Sequence, residues 1–201
     1  MFFSFDGVDG VGKTTQLKAF CQWLRENGQV VVECRDPGGT PLGESIRKIV
    51  LHGDDVAICA RSEMLLYMAS RAQLVRDVIQ PALDAGKSVV SDRFLLANVV
   101  YQGHAGGVPP EMVWQVGKIA TGGLEPDQTF LLDMPADRAA ARIDRELDRM
   151  EAKGLDYLGQ VRQSFLDEAM RRPDRIMIIN ADAPPDCVQE SIRTKYLELT
   201  T

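Results

Sequence analysis

The sequence predicts an α/β fold in three layers, a five-stranded parallel sheet flanked by helices. Three observations carry the prediction. Short apolar runs alternate with stretches of helical periodicity along the whole chain, the pattern of parallel βαβ units. The runs are nearly continuous in apolar residues, as strands buried on both faces are. A glycine-rich string joins the first strand to the first helix, where such folds bind phosphate.

Phe2-Phe3-Ser4-Phe5 reads as the first strand. Gly7-Val8-Asp9-Gly10-Val11-Gly12-Lys13-Thr14 follows, and Leu17, Phe20, Cys21 and Leu24 then recur at helical spacing. This is G-x-x-x-x-G-K-[ST] between a strand and a helix. The glycines let the backbone curl so that N–H groups face phosphate oxygens, and the helix N-terminus adds partial positive charge. Lys13 is expected to reach the β- and γ-phosphates and the Thr14 hydroxyl to ligate Mg²⁺. With Thr15, these residues predict a nucleoside triphosphate site.

Val30-Val31-Val32-Glu33-Cys34 reads as the second strand, closed by Asp36-Pro37-Gly38-Gly39, a string suited to a type II turn. Such a turn would present Asp36 and the glycine backbone to a ligand. Thr40 is placed to cap a helix running to about Leu51. A longer helical pattern covers residues 61–85, with Pro81 expected to kink or divide it and Gly86 to end it. Ser88-Val89-Val90-Ser91 is the third strand, and Asp92-Arg93 follow at its carboxyl end. A strand-end carboxylate there suits Mg²⁺ or its waters, and the Arg93 fork suits a phosphate. Gly103, Gly106 and Gly107 suggest a loop before Pro109-Pro110, where another helix begins and runs to about Thr121. The fourth and fifth strands read at residues 129–133 and 175–179, separated by a basic helix and a charge-dense segment at 138–153. A last helix covers about 186–199. With no repeat, low-complexity tract or linker, residues 1–201 read as one domain.

Composition narrows the partners. The 201 residues are 45% hydrophobic and 26% charged, ordinary for a globular chain. A net charge of −6 argues against a nucleic acid polymer as partner, so phosphate binding falls to local arginines and lysines. Cys21, Cys34, Cys59 and Cys187 show no C-x-x-C spacing, and with only His52 and His104 no zinc site is legible. The apolar start lacks a basic region and runs into the phosphate loop, unlike a signal peptide, and no apolar run approaches a membrane span. The expected location is cytoplasmic.

Three motifs in order, GVDGVGKT, DPGGTPLGE, and DRF followed by NVVYQG, resemble the thymidylate kinase family, enzymes that phosphorylate dTMP to dTDP. Residues 65–73 resemble the family's helix over the nucleobase, and Glu146-Leu147-Asp148-Arg149-Met150-Glu151 its mobile lid, here about 138–153. The resemblance implies a phosphate-loop kinase fold, ATP and dTMP as substrates with Mg²⁺, and a homodimer. It puts Tyr67 against the thymine ring, Arg71 at its O4, and Asn98 near its N3 edge. It puts Tyr101 beside the sugar 2′ position, with Gln102 next to it among the substrate contacts, and Asp9 near the 3′-hydroxyl. Asp36 and Pro37 border the acceptor, and Arg47 and Arg93 grip its phosphate. Val11 stands where one branch of the family carries an arginine, so the resemblance is to the branch whose catalytic arginine comes from the lid, here Arg142, Arg145 or Arg149.

Five residues depart from the family pattern. Asp6 and Asp36 stand where Glu is usual, Phe94 where Tyr is, Ala97 where Ser or Thr is, and Ser70 where an acid is frequent. The last three are expected to remove polar groups around the nucleotide. Two other functions fit the same motifs: a kinase for another nucleotide or nucleoside, and an ATP-binding regulator without transfer activity.

Overall fold

A computed structural model of the chain describes residues 1–52, 57–143 and 154–200. Five strands form one sheet: β1 (Phe2–Asp6), β2 (Val31–Arg35), β3 (Ser88–Asp92), β4 (Gln128–Asp133) and β5 (Ile176–Asn180), in the order β2-β3-β1-β4-β5. Every pairing is parallel, with Phe5 opposite Asp92 on one side and Phe130 on the other. The helices are α1 (Lys13–Glu26), α2 (Pro41–His52), α3 (Ala60–Leu74), α4 (Gln80–Asp84), α5 (Leu95–Asn98), α6 (Pro110–Thr121), α7 (Ala136–Ala141), α8 (Leu155–Arg171) and α9 (Pro185–Thr200). The predicted three-layer α/β architecture is therefore observed.

Alternation along β1 supplies the two halves of the core. Phe3 and Phe5 face a cluster with Phe20, Phe130 and Phe165. Phe2 faces a second cluster with Met64, Leu74, Phe94 and Val113. Phe20 on α1 meets Phe3 and Phe130 edge-on, at 5.5 Å between centroids in each case, so the helix after the phosphate loop is clamped to the sheet.

The sheet order brings the functional strand ends together. The chain leaves β3, crosses β1 and enters β4, so β1 and β3 lie side by side with parallel carboxyl ends, a switch point where such sheets bind ligands. Pairing continues past the strands: Asp36 N–H donates to the Asp92 carbonyl at 3.0 Å and Arg93 N–H to the Phe5 carbonyl at 2.9 Å.

The Thr40 cap forms, its Oγ1 accepting from Gly43 N–H at 3.0 Å, and Gly86 takes the left-handed φ of 71°. One local expectation is met in kind and two need correction. The 61–85 pattern divides one turn before Pro81: residues Val75–Ile79 form a π-turn in which Gln80 N–H reaches the Val75 carbonyl, an arrangement suited to a proline that has no N–H of its own. The glycine-rich loop begins later than read. Leu95–Asn98 is helical and Val99–His104 a second π-turn containing Gly103, because Leu95, Leu96, Val99 and Val100 are buried. The Asp36-Pro37-Gly38 turn is not type II: Asp36–Pro37 is cis and Gly38 has φ 135°.

Candidate active site

The loop after β1 needs glycine for space as well as conformation. Gly10 has φ 86°, and a Cβ there would lie 1.9 Å from the Ala139 carbonyl oxygen. The loop is thus pressed against α7 with its backbone free to curl. Val8 and Val11 point into the core, so their contribution to a ligand is backbone only.

Lys13, in the first turn of α1, donates to the Val8 carbonyl at 2.8 Å, the Gly7 carbonyl at 3.1 Å and Asp9 Oδ1 at 3.2 Å. Burial, together with the neighbouring Arg93, pulls its pKa below the ordinary lysine value. Thr14 Oγ1 donates to Asp92 Oδ2 at 3.1 Å, joining the two residues expected to hold the metal.

Arg93 combines strain and charge. It is the one described non-glycine residue with positive φ, at 65°. Its guanidinium donates to the Gly7 carbonyl at 3.0 Å and to Asp9 Oδ1 at 2.6 Å, and lies 5.3 Å over the Tyr101 ring. Burial would raise the Asp9 carboxyl, but Arg93 and Lys13 outweigh it and hold Asp9 well below the ordinary range.

Two connected cavities meet here. The larger, about 850 Å³, is lined by Gly10, Gly12, Lys13, Thr14, Thr15, Asp92 and Arg142, among others. The smaller, about 140 Å³, is lined by Pro37, Tyr67, Arg71, Ala97, Asn98, Tyr101 and Gln102, among others. Asp9, Asp36, Arg47 and Arg93 border both. Arg47 is anchored by donating to the Pro37 carbonyl at 3.0 Å. The motifs are therefore brought together as one cleft with a side chamber, two arginines standing at the junction. Arg145 and Arg149 lie outside the described residues, as does most of the expected lid.

Arg71 is 1% exposed and its Nε donates to Asp36 Oδ2 at 2.5 Å, with Nη2 reaching the Phe94 carbonyl at 3.3 Å. Burial holds the Asp36 carboxyl above the ordinary carboxylate range, against the opposing pull of Arg71. Removing one partner of such a pair strands a buried charge. Asp36→Asn is expected to cost about 3–5 kcal/mol, read as a lower denaturant midpoint; a midpoint within error of the parent would mean that Arg71 does not depend on Asp36.

The departures resolve differently than expected. Phe94 is core, its ring edge-on to Phe2 at 5.0 Å, so the absent hydroxyl is not missed at the cleft. Ser70 Oγ accepts from Gly38 N–H at 3.3 Å and shapes the turn from below. Of the three, Ala97 alone borders the side chamber. Tyr67 packs on Ile46 and Val50 and also lines the chamber.

In the sequence Asp6 stands out only as an Asp where the family usually has Glu. It is fully buried, neither oxygen has a hydrogen-bond partner among the described residues, and burial raises its pKa to about 7 against the pull of Arg93 and Lys13. A carboxyl that holds its proton more tightly when folded favours folding at low pH. That contribution is complete below the ordinary value of 3.8 and is lost as pH rises through about 7. Asp6→Asn should therefore match the parent near pH 4 and exceed it at pH 8 by roughly 2–4 kcal/mol. Urea titrations at the two pH values read this, and equal stability at pH 8 would contradict it.

Comparisons with known proteins follow the same lines. The family model described as Thymidylate kinase matches residues 5–192. A thymidylate kinase of Rhodopirellula baltica is 44% identical over 189 residues, covering 94% of this chain and 77% of that protein. One of Kosmotoga olearia is 42% identical over 199 residues, covering 98% and 95%. The crystal structure of thymidylate kinase from Ehrlichia chaffeensis superposes with a TM-score of 0.78 at 29% identity, covering 98% of each chain.

Proposed function

The chain belongs to the thymidylate kinase family, and on that premise we propose that it transfers the γ-phosphoryl group of ATP to dTMP, giving dTDP and ADP. The observation that carries the reading is the junction of the two cavities, where Arg47 and Arg93 stand between a phosphate loop and a base-sized side chamber. ATP lies along the larger cleft with its phosphates in the loop; dTMP places its base in the chamber, between Tyr67 and Asn98, with Arg71 at O4.

No general base is needed. By analogy with phosphoserine, the acceptor phosphate has a second pKa of about 6 and is already dianionic at neutral pH. Catalysis is positioning and charge neutralisation. Lys13 exchanges loop carbonyls for the β- and γ-phosphate oxygens. Arg93 and Arg47 hold the acceptor phosphate in line, and Asp9 orients Arg93 and borders the sugar 3′-hydroxyl. Arg142, at the described edge of the lid, or Arg145 or Arg149 supplies the last cation, and closure of the lid keeps water from accepting the phosphoryl group. The family's need for a divalent metal is met by Mg²⁺: the Thr14 hydroxyl and Asp92 carboxylate, in contact at 3.1 Å, are hard oxygen donors suited to it. That ion, when bound, neutralises phosphate charge.

The chain acts in the cytoplasm as one domain and as a homodimer. In support of these, no described helix is long and apolar enough to cross a membrane. Most apolar side chains of the helical pattern at 61–85 are spent on the core, but Leu65 on α3 and Met112 and Ile119 on α6 remain exposed for a partner copy. A coupled ADP-release assay with Mg-ATP against dTMP, dUMP, dCMP, dGMP, UMP and thymidine tests the function. Preference for dTMP supports it, whereas preference for another acceptor reassigns the chamber. One missing methyl group is worth about 1–3 kcal/mol, so dUMP is the expected second substrate.

A further inference from the structure

A chain of three buried side chains runs outward from the wall of the base chamber. Asn98, at the end of α5, is 2% exposed and lines the chamber. Its Nδ2 donates to Gln102 Oε1 at 2.5 Å, and Gln102 Nε2 in turn donates to Glu63 Oε1, on the first turn of α3, at 3.3 Å. Gln102 is 3% exposed and Glu63 6%. Asn98 Oδ1 is buried without a hydrogen-bond partner among the described residues.

Neutral amides have two orientations of similar shape, one presenting oxygen and the other NH₂. A carboxylate has only acceptors, so its neighbour must turn NH₂ toward it. Gln102 then has oxygen left for Asn98, and Asn98 must give that oxygen its own NH₂. The group remaining at the far end is the Asn98 oxygen. We propose that Glu63 is a specificity-determining positioning residue: through Gln102 it fixes the polarity of Asn98, so that the chamber offers an acceptor to the base. That acceptor fits the N3–H of thymine or uracil and opposes cytosine, whose N3 is itself an acceptor. Glu63 does this without touching the nucleotide. The inference rests on the dTMP reading and adds to it the reason that the amide faces the base in one sense.

Glu63→Gln is nearly isosteric and removes the polarity, because a glutamine can satisfy Gln102 in either direction. The test compares dTMP with 5-methyl-dCMP at saturating Mg-ATP; the two acceptors share the methyl group, sugar and phosphate and differ at N3 and the 4-position. For Glu63→Gln, KM for dTMP should rise about tenfold, the size of one hydrogen bond, with KM for ATP unmoved. The dTMP to 5-methyl-dCMP ratio of kcat/KM should fall by at least the same factor. The exchanged double variant, Glu63→Gln with Gln102→Glu, places the carboxylate beside Asn98 Nδ2 and should restore most of the ratio. A general loss of packing would not be repaired by moving the charge one residue inward. An unchanged ratio in Glu63→Gln, or a double variant no more selective than the single one, overturns the proposal. If the single variant does not fold, the double variant alone decides: a collapsed ratio overturns it. Absence of dTMP turnover in the parent enzyme would instead defeat the functional reading itself.

Discussion

Lys13→Ala is expected to lower kcat/KM for phosphoryl transfer by about 10²–10³-fold, the usual consequence of deleting one preorganised donor to developing charge. The fold should survive. The ammonium is held by loop carbonyls and Asp9, and Lys13 is not a member of the hydrophobic core clusters. Burial already works against its charge, so the deletion also relieves a cost. Circular dichroism and thermal melting alongside the kinetics separate the two effects. A variant within a few-fold of parental activity would remove Lys13 from the mechanism.

Arg93 is expected to be as important for activity and more informative about stability. Arg93→Ala and Arg93→Gly both delete the guanidinium at the junction of the cavities, and each should lose about 10²-fold or more in transfer. They differ in backbone freedom. The φ of 65° is held by Arg93 N–H on the Phe5 carbonyl and by Ser91 Oγ on the Arg93 carbonyl at 2.6 Å. An L-residue in that region costs about 1–2 kcal/mol, and glycine does not. Arg93→Gly should therefore be more stable than Arg93→Ala by about 1 kcal/mol. The reverse order would mean that no strain is stored there. Strain of this kind is kept at functional positions because the surroundings over-determine it, and here it aims the guanidinium across the end of β1.

The alternation of buried strands with periodic helices was readable because it rests on local chemistry. So were the phosphate loop, the Thr40 cap and the strand-end pair Asp92-Arg93. Each depends on residues close in sequence. What could not be read depends on residues far apart. Phe94 looks like a lost hydroxyl in a nucleotide site until the fold turns its ring onto Phe2. Glu63 lies 39 positions from Gln102, and no spacing rule joins them. Asp6 stands out in β1, yet its burial near Lys13, Arg71, Asp92 and Arg93 comes only with the fold. The π-turn at 99–104 was hidden by glycines that usually signal loops, while the apolar pairs Leu95-Leu96 and Val99-Val100 carried the opposing helical signal.

The central claim is that the cleft carries phosphoryl groups to dTMP and not to water. The most direct measurement follows ATP, ADP, dTMP and dTDP together by quenched-flow chromatography or ³¹P resonance in one reaction with Mg²⁺. The account predicts one dTDP for each ADP, with ADP formation nearly absent until dTMP is added. ADP without dTDP, or no turnover on adding dTMP while ATP still binds, would contradict it and favour a nucleotide-binding regulator.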